Sequence, residues 1–266
     1  MDLGLTDRIA LITGGDSGIG LATARLLLQE GVQVVISGLE PAQTEAAVTE
    51  LSAAGGRVDG FAADLRRPSD VDRLRAQLRN LGRVDILINS AGDSGPSGAF
   101  HELEDDDWQA TLAIDLMGPV RVTRAFLDDL RSSGHGRLIF LTSENAVQPY
   151  PDEIPYDAAK AGVLAMAKAL SKAYASDGLL VNCVSPAFIR TPMTDAMMFQ
   201  RAGRLQVGFD EAVDSFLTDE RPGMTLRRRG EPEEVAAVIA FLCSKPASFV
   251  NGADYRVDCG SVTTIN

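Results

Sequence analysis

The chain has 266 residues, 45% of them hydrophobic and 23% charged, the composition of a globular protein with enough apolar material for a sizeable core rather than of a disordered chain. Its 25 Lys and Arg against 37 Asp and Glu leave a net charge of -12, which weighs against non-specific nucleic-acid binding and against anionic membrane surfaces. The cysteines Cys183, Cys243 and Cys259 are odd in number and far apart, with two histidines in the chain, so neither a disulfide framework nor a metal site is expected.

A buried, inert thiol is the expectation for each cysteine, and a reducing cytoplasm for the location. The first residues lack a basic segment followed by a long apolar stretch, so no signal peptide is expected. No apolar run approaches the roughly 20 residues that span a bilayer.

In chain order, short β-branched apolar runs predict strands at about Arg8–Thr13, Val32–Ser37, Arg57–Ala63, Val84–Asn89, Arg137–Thr142, Leu179–Ser185 and Ala253–Val257. Several are almost continuously apolar, as a parallel strand covered on both faces requires. Helical patterns lie between them. Ile19–Glu30 ends at Gly31, suited to a left-handed cap. Ser69–Leu81 follows Pro68, Tyr156–Ser176 is long and Ala-rich, and Glu231–Ser244 opens with Pro232 and two glutamates. The alternation predicts an α/β fold, a doubly wound parallel sheet of about seven strands in a single domain spanning 1–266. Residues 187–229 break the rhythm. They show no strand and mix Met193, Met197, Met198, Phe199, Phe209 and Phe216 with charges. Such a segment reads as a lid over an apolar substrate or as a helical hairpin packed against the body or a partner subunit.

After the first strand comes Thr13-Gly14-Gly15-Asp16-Ser17-Gly18-Ile19-Gly20, then a helix. Glycines let a backbone approach a pyrophosphate, and the helix N-terminus offers free N–H groups. The spacing T-G-x-x-x-G-x-G resembles that of the short-chain dehydrogenase/reductase family, in its short, 3-oxoacyl-reductase-like form. Asn89-Ser90-Ala91-Gly92 resembles the family's N-N-A-G, and Tyr156-Asp157-Ala158-Ala159-Lys160 its Y-x-x-x-K. Ser143 precedes Tyr156 by thirteen residues, as the family's catalytic serine does. Asn182-Cys183-Val184-Ser185-Pro186 resembles N-x-x-S-P-G with Ala187 in place of glycine, and Val257-Asp258-Cys259-Gly260 resembles the D-G-G element. The matches run in order from about residue 7 to 260. The resemblance implies a Rossmann-type fold and oxidoreduction with a nicotinamide cofactor.

Tyr156 and Lys160, four residues apart on a helix, share a face. A cation there lowers the phenol's pKa and suits it to general acid or base work on an alcohol or carbonyl. Ser143 closes a strand near the start of that helix, where its hydroxyl can stabilise charge on the reacting oxygen. The resemblance also gives Lys160 the nicotinamide ribose hydroxyls. One departure stands out. The family's fourth catalytic residue is an asparagine in N-L-x-G, and this chain has Asp115-Leu116-Met117-Gly118. Asp115 is expected to keep the asparagine's structural role, anchoring the same water through its backbone carbonyl; the alternative is an ionised carboxylate that raises the Lys160 pKa and weakens a neutral proton relay.

The resemblance places Gly14, Asp16, Ser17, Gly18, Ile19 and Gly20 at the pyrophosphate, Gly38 and Leu39 at the adenosine ribose, and Asp64 and Leu65 at the adenine. It places Asn89, Ala91 and Gly92 beside the cofactor, with Asn89 also tying strands together, and Pro186, Ile189 and Thr191 at the nicotinamide. No base is present at Gly38-Leu39-Glu40 or Ser17, so NAD is preferred over NADP, which remains an alternative. Pocket walls are expected from 93–98, 144–155 and 187–216. Their mixed polarity suits a small or medium-sized secondary alcohol or ketone. Arg227-Arg228-Arg229 is expected to form structural ion pairs, the alternative being attraction of an acidic carrier protein. The resemblance implies a homotetramer or homodimer. A non-redox enzyme or a dinucleotide sensor on the same scaffold is the alternative function.

Overall fold

The computed structural model describes residues 2–53 and 55–265. Its strands are β1 (Ile9–Thr13), β2 (Gln33–Gly38), β3 (Val58–Ala62), β4 (Ile86–Asn89), β5 (Arg137–Leu141), β6 (Leu180–Pro186) and β7 (Asp254–Val257). They form one parallel sheet in the order β3-β2-β1-β4-β5-β6-β7. Seven predicted strands are thus seven observed ones, with ends shifted by a residue or two.

Nine helices cover the sheet among the described residues: α1 (Gly18–Gln29), α2 (Pro41–Ala53), α3 (Pro68–Leu78), α4 (Asp105–Asp115), α5 (Met117–Ser132), α6 (Ile154–Ala173), α7 (Pro192–Leu205), α8 (Phe209–Asp219) and α9 (Pro232–Cys243). Successive strand side chains point to opposite faces, and this divides the interior in two. Ala10, Ile12, Val34, Ile36, Ile86, Ile88 and Ile139 meet α1, α2 and α9 on one face. Leu11, Val35, Leu87, Leu138, Phe140 and Val181 meet α3, α5 and α6 on the other. Phe126 of α5 is fully buried in the second core. Both faces being covered explains the unbroken apolar runs.

The chain reverses its direction of winding between β1 and β4, which are neighbours although Asn89 lies 76 positions after its partner Thr13. A crevice opens there, beyond the carboxyl ends of the strands. Thr13 shapes its floor: its hydroxyl accepts from the N–H groups of Ser90 (3.2 Å) and Ala91 (3.3 Å).

Helix α6 starts at Ile154, two residues earlier than predicted, because Pro155 sits in the first turn where its missing N–H costs nothing. It ends at Ala173, and Gly178 in left-handed conformation turns the chain into β6. The segment 187–229 contains the α7–α8 hairpin. Thr191 caps α7 by accepting from the Thr194 N–H (3.3 Å), with Pro192 next. Phe188, Met198, Phe216, Leu217 and Met224 form a third, smaller core beneath the pair.

The three arginines behind the hairpin are engaged internally. Arg229 pairs with Asp195 (2.7 Å), Arg228 with Glu234 (2.7 Å), and Arg227 donates to the Leu217 carbonyl (3.4 Å). Cys183 and Cys243 are buried, and burial pushes the Cys243 thiol up to about 12. Cys259 departs from the expectation: it is only partly buried, in a left-handed backbone position (φ 54°), and its sulfur accepts the Leu226 N–H (3.1 Å). No described helix is long and apolar enough to cross a membrane, and no described group of His, Cys, Asp or Glu is arranged to hold a metal.

Candidate active site

The crevice is a cleft of about 460 Å³. One end is built by the glycine turn between β1 and α1. Gly14 has φ +64°, and a Cβ on it would lie 2.8 Å from the Ala91 backbone. A Cβ on Gly20 would sit 2.0 Å from the Gly14 carbonyl oxygen. Only glycine allows both the bend and the contact. Ser17 is the N-cap of α1 in extended conformation, and Gly18, Ile19 and Gly20 in the first helical turn line the cleft. First-turn N–H groups lack intrahelical acceptors, so this rim suits an anion.

At the end of β2 the side chain of Asp16 fills the space beside Gly38. A Cβ on Gly38 would lie 2.3 Å from the Asp16 Oδ2 and 2.5 Å from the Thr44 Oγ1. Burial raises the Asp16 carboxyl above the ordinary aspartate value. After β3, Asp64 holds Arg66 in a fork of 2.8 and 3.1 Å, and the paired guanidinium lowers the Asp64 carboxyl. Arg66 remains half exposed on the cleft wall.

The other end is formed by the turn after β5 and by α6. One helical turn sets Tyr156 and Lys160 on the same face, the Lys160 Nζ 5.3 Å from the centre of the Tyr156 ring. Asp115, the last residue of α4, is fully buried and pairs with Lys160 at 3.1 Å. The Asp93 N–H also donates to its carboxylate (3.3 Å). The Asp115 carboxylate thus bridges Lys160 and the Asp93 N–H. Gly92 allows this, since a Cβ there would lie 2.6 Å from the Asp115 Oδ1.

The charges are coupled. Burial raises the Asp115 carboxyl, and Lys160 opposes that rise. Burial works against the Lys160 ammonium, but Asp115 and then Tyr156 outweigh it and hold the lysine protonated. The Tyr156 phenol is raised, first by burial; Lys160 pulls it down, Asp115 pushes it up, and a hydrogen bond with Ser143 pulls it down again. A phenol kept protonated beside a fixed ammonium is set to give up a proton to an oxygen that gains charge.

Ser143 caps the short turn Glu144–Ala146. Around it lies a network that the motif did not announce. Glu144 is buried and pairs with Arg221 at 2.8 Å, and Arg221 also reaches Glu153 at 3.2 Å and stacks on the Tyr150 ring at 3.5 Å. Burial raises the Glu144 carboxyl. Glu144, Asn145, Glu153 and Arg221 all line the cleft, as do Phe188, Met193, Met197 and Phe216 from the hairpin segment.

The cleft thus brings together Ser143, Tyr156 and Lys160 with Gly14, Asp16, Ser17, Gly18, Ile19, Gly20, Gly38, Leu39, Asp64, Leu65, Ala91, Gly92, Pro186, Ile189 and Thr191. Asp115 stands behind the wall, against Lys160. Asn89 is not among the residues lining the cleft: it is buried in β4, where its amide donates to the Thr123 hydroxyl of α5 (3.4 Å). Arg221 and Asp157 were not foreseen. Arg221 finds Glu144 77 residues away in the chain, a contact that no local pattern announces.

Comparison with known proteins agrees with this geometry. A family model described as enoyl-(acyl carrier protein) reductase matches residues 14–262. The (2S)-((R)-hydroxy(phenyl)methyl)succinyl-CoA dehydrogenase subunit BbsD of Thauera aromatica is 35% identical over 97% of both chains. The solved L-sorbose reductase of Gluconobacter frateurii, complexed with NADPH and L-sorbose, superposes with a TM-score of 0.93 at 32% identity over the whole of both chains. An actinorhodin polyketide ketoreductase variant with NADPH gives 0.88 at 33% identity over 96% of each. The chain is a member of the short-chain dehydrogenase/reductase family of oxidoreductases.

Proposed function

We propose that the protein reduces a small or medium-sized ketone to a secondary alcohol with NADPH, Tyr156 acting as general acid. The observation that carries this reading is the set Ser143, Tyr156 and Lys160 at one end of a cleft whose other end is a glycine turn shaped for a pyrophosphate. The turn fits a dinucleotide, because Gly14 and Gly20 leave the rim of α1 open to an anion. When bound, the nicotinamide supplies a hydride.

The chain's own residues do the rest. The Ser143 and Tyr156 hydroxyls hold the carbonyl oxygen. Tyr156 passes its proton to that oxygen as negative charge develops there. Lys160, 5.3 Å from the ring centre, stabilises the phenolate left behind, and Asp115 keeps Lys160 an ammonium throughout. Phe188, Met193, Met197 and Phe216 offer an apolar wall and Asn145 and Glu153 a polar one, which supports a substrate of mixed character. The α7–α8 hairpin serves as its lid.

The choice of NADPH over the NAD favoured by the acidic rim rests on the two NADPH-bound relatives. On the adenosine side of the cleft wall, the half-exposed Arg66 is the guanidinium available to a 2′-phosphate. Thermal shifts with NADPH and NADH side by side test this, since a ligand that binds the folded chain alone raises its melting point with affinity. A larger shift with NADPH is expected, and Arg66→Met should erase the difference. A larger shift with NADH returns the ribose to Asp16. A panel of ketones, L-sorbose, a cyclic dione and a 3-oxoacyl thioester among them, then tests turnover by loss of NADPH absorbance.

A further inference from the structure

The catalytic serine is held by a side chain that the reaction itself does not require. Ser143 Oγ donates to the Asn145 Oδ1 at 3.0 Å and accepts from the Asn145 backbone N–H at 3.3 Å. The Asn145 Nδ2 donates to two carboxylates, Glu153 Oε2 and Asp157 Oδ1, both at 2.7 Å. Two carboxylates accept only, so they fix which end of the amide is nitrogen and leave its oxygen facing Ser143. Asp157 is held in turn by the Tyr150 N–H (2.9 Å), and Glu153 by Arg221 (3.2 Å). Ser143, Asn145, Asp157 and Arg221 are all buried.

From this we infer that Asn145 is the positioning residue of Ser143, and that Arg221, at the end of the α7–α8 hairpin, steadies it through Glu153. The inference rests on the catalytic part given to Ser143 above. Its physical content is preorganisation. The Asn145 N–H keeps the serine oxygen in place while the hydroxyl turns from the amide oxygen to a substrate carbonyl. The vacated amide oxygen stays put, because both amide hydrogens are engaged by carboxylates. The hydroxyl therefore exchanges one defined acceptor for another and needs no rearrangement of its surroundings. Arg221 connects this arrangement to the segment that covers the substrate, so a seated hairpin and an aligned serine go together.

The test is a double-mutant cycle on the full-length enzyme, with NADPH and the best ketone of the panel. Asn145→Ala is expected to lower kcat by about 10- to 100-fold, with KM for the ketone and the Kd for NADPH changed less than about twofold, since nothing at the dinucleotide end is touched. In a Ser143→Ala background the same substitution should cost less than about twofold, because the residue it serves is already gone. Equal losses in both backgrounds overturn the inference and leave Asn145 a structural residue. A Ser143→Ala enzyme at the wild-type rate overturns the serine's catalytic part and the inference with it, and is recognised from that single variant. Arg221→Met should lower kcat in the same direction by less, and Arg221→Lys, which restores a cation to Glu153, should recover most of it. Should Asn145→Ala fail to fold, Glu153→Ala at the rim enters the same cycle.

Discussion

Two buried ion pairs flank the Ser143–Tyr156 end of the cleft, and they are built differently. Asp115–Lys160 joins two helices of the body, α4 and α6, at 3.1 Å with both side chains almost without exposure. Glu144–Arg221 joins the turn after β5 to the α7–α8 segment at 2.8 Å, and its arginine has Glu153 as a second carboxylate. The first pair holds Lys160 as an ammonium, which draws the Tyr156 phenol down against the rise that burial causes. The second ties the chain just after α8 to the loop that carries Ser143. A buried pair adds little to stability compared with apolar side chains of the same shape, but removing one partner strands a charge. The comparison therefore predicts that both pairs are expensive to break and that breaking them does different things.

Asp115→Ala should be the most damaging. It leaves an ammonium buried beside Tyr156, and a loss of about 3–5 kcal/mol is expected in a denaturant titration. A loss under 1 kcal/mol would mean that Lys160 gives up its proton at little cost. Arg221→Met strands Glu144 instead, whose carboxyl burial already raises. A carboxyl raised in the folded state takes up a proton more readily there than in the unfolded chain, so its stabilising effect grows as pH falls and is lost as pH rises through the folded value. The variant should therefore recover much of its melting temperature between pH 7 and pH 5, while Asp115→Ala should recover none. Parallel melting curves for the two variants across that range would erase the distinction drawn here.

Asp115→Asn separates charge from shape. It removes the carboxylate that pushes the Tyr156 phenol up, so the pH–rate profile for alcohol oxidation should shift to lower pH with the fold retained. An unmoved profile would show that Asp115 acts on Lys160 alone. At the surface, Glu234→Gln is the baseline. Arg228 and the Glu231 N–H hold the Glu234 carboxyl down at about 2, but the group is exposed, so the melting temperature at neutral pH should stay within error of wild type.

The body of the molecule was legible in the sequence because its patterns are local. Unbroken apolar runs in β1, β2 and β4 mark strands covered on both faces, Pro155 and Pro232 mark helix starts, and the glycine turn has a short spacing that steric limits enforce. The residues Ser143, Tyr156 and Lys160 follow from one helical turn and one strand end. What was hidden depends on distance along the chain. The 187–229 segment could be read as a lid or as a helical hairpin, because the apolar residues of α7 and α8 face a small core of their own, with Phe188 and Met224 from outside the helices completing it. Asp115 was marked as a departure, but whether its carboxylate or its carbonyl would serve depended on how α4 meets α6. Asn89 lies one residue before the cleft wall, and a motif cannot tell a side chain that supports the wall from one that lines it. Arg221 had no signature at all, since Glu144 and Glu153 reach it only after the whole sheet has formed.

The central claim is that Tyr156 gives the proton in ketone reduction. Its most direct test compares wild type and Tyr156→Phe for ketone-dependent oxidation of NADPH, with the NADPH thermal shift measured on both. The account predicts that the Phe variant keeps the thermal shift and loses about 10²- to 10⁴-fold in kcat. A Phe variant that binds NADPH and turns over at the wild-type rate would contradict it.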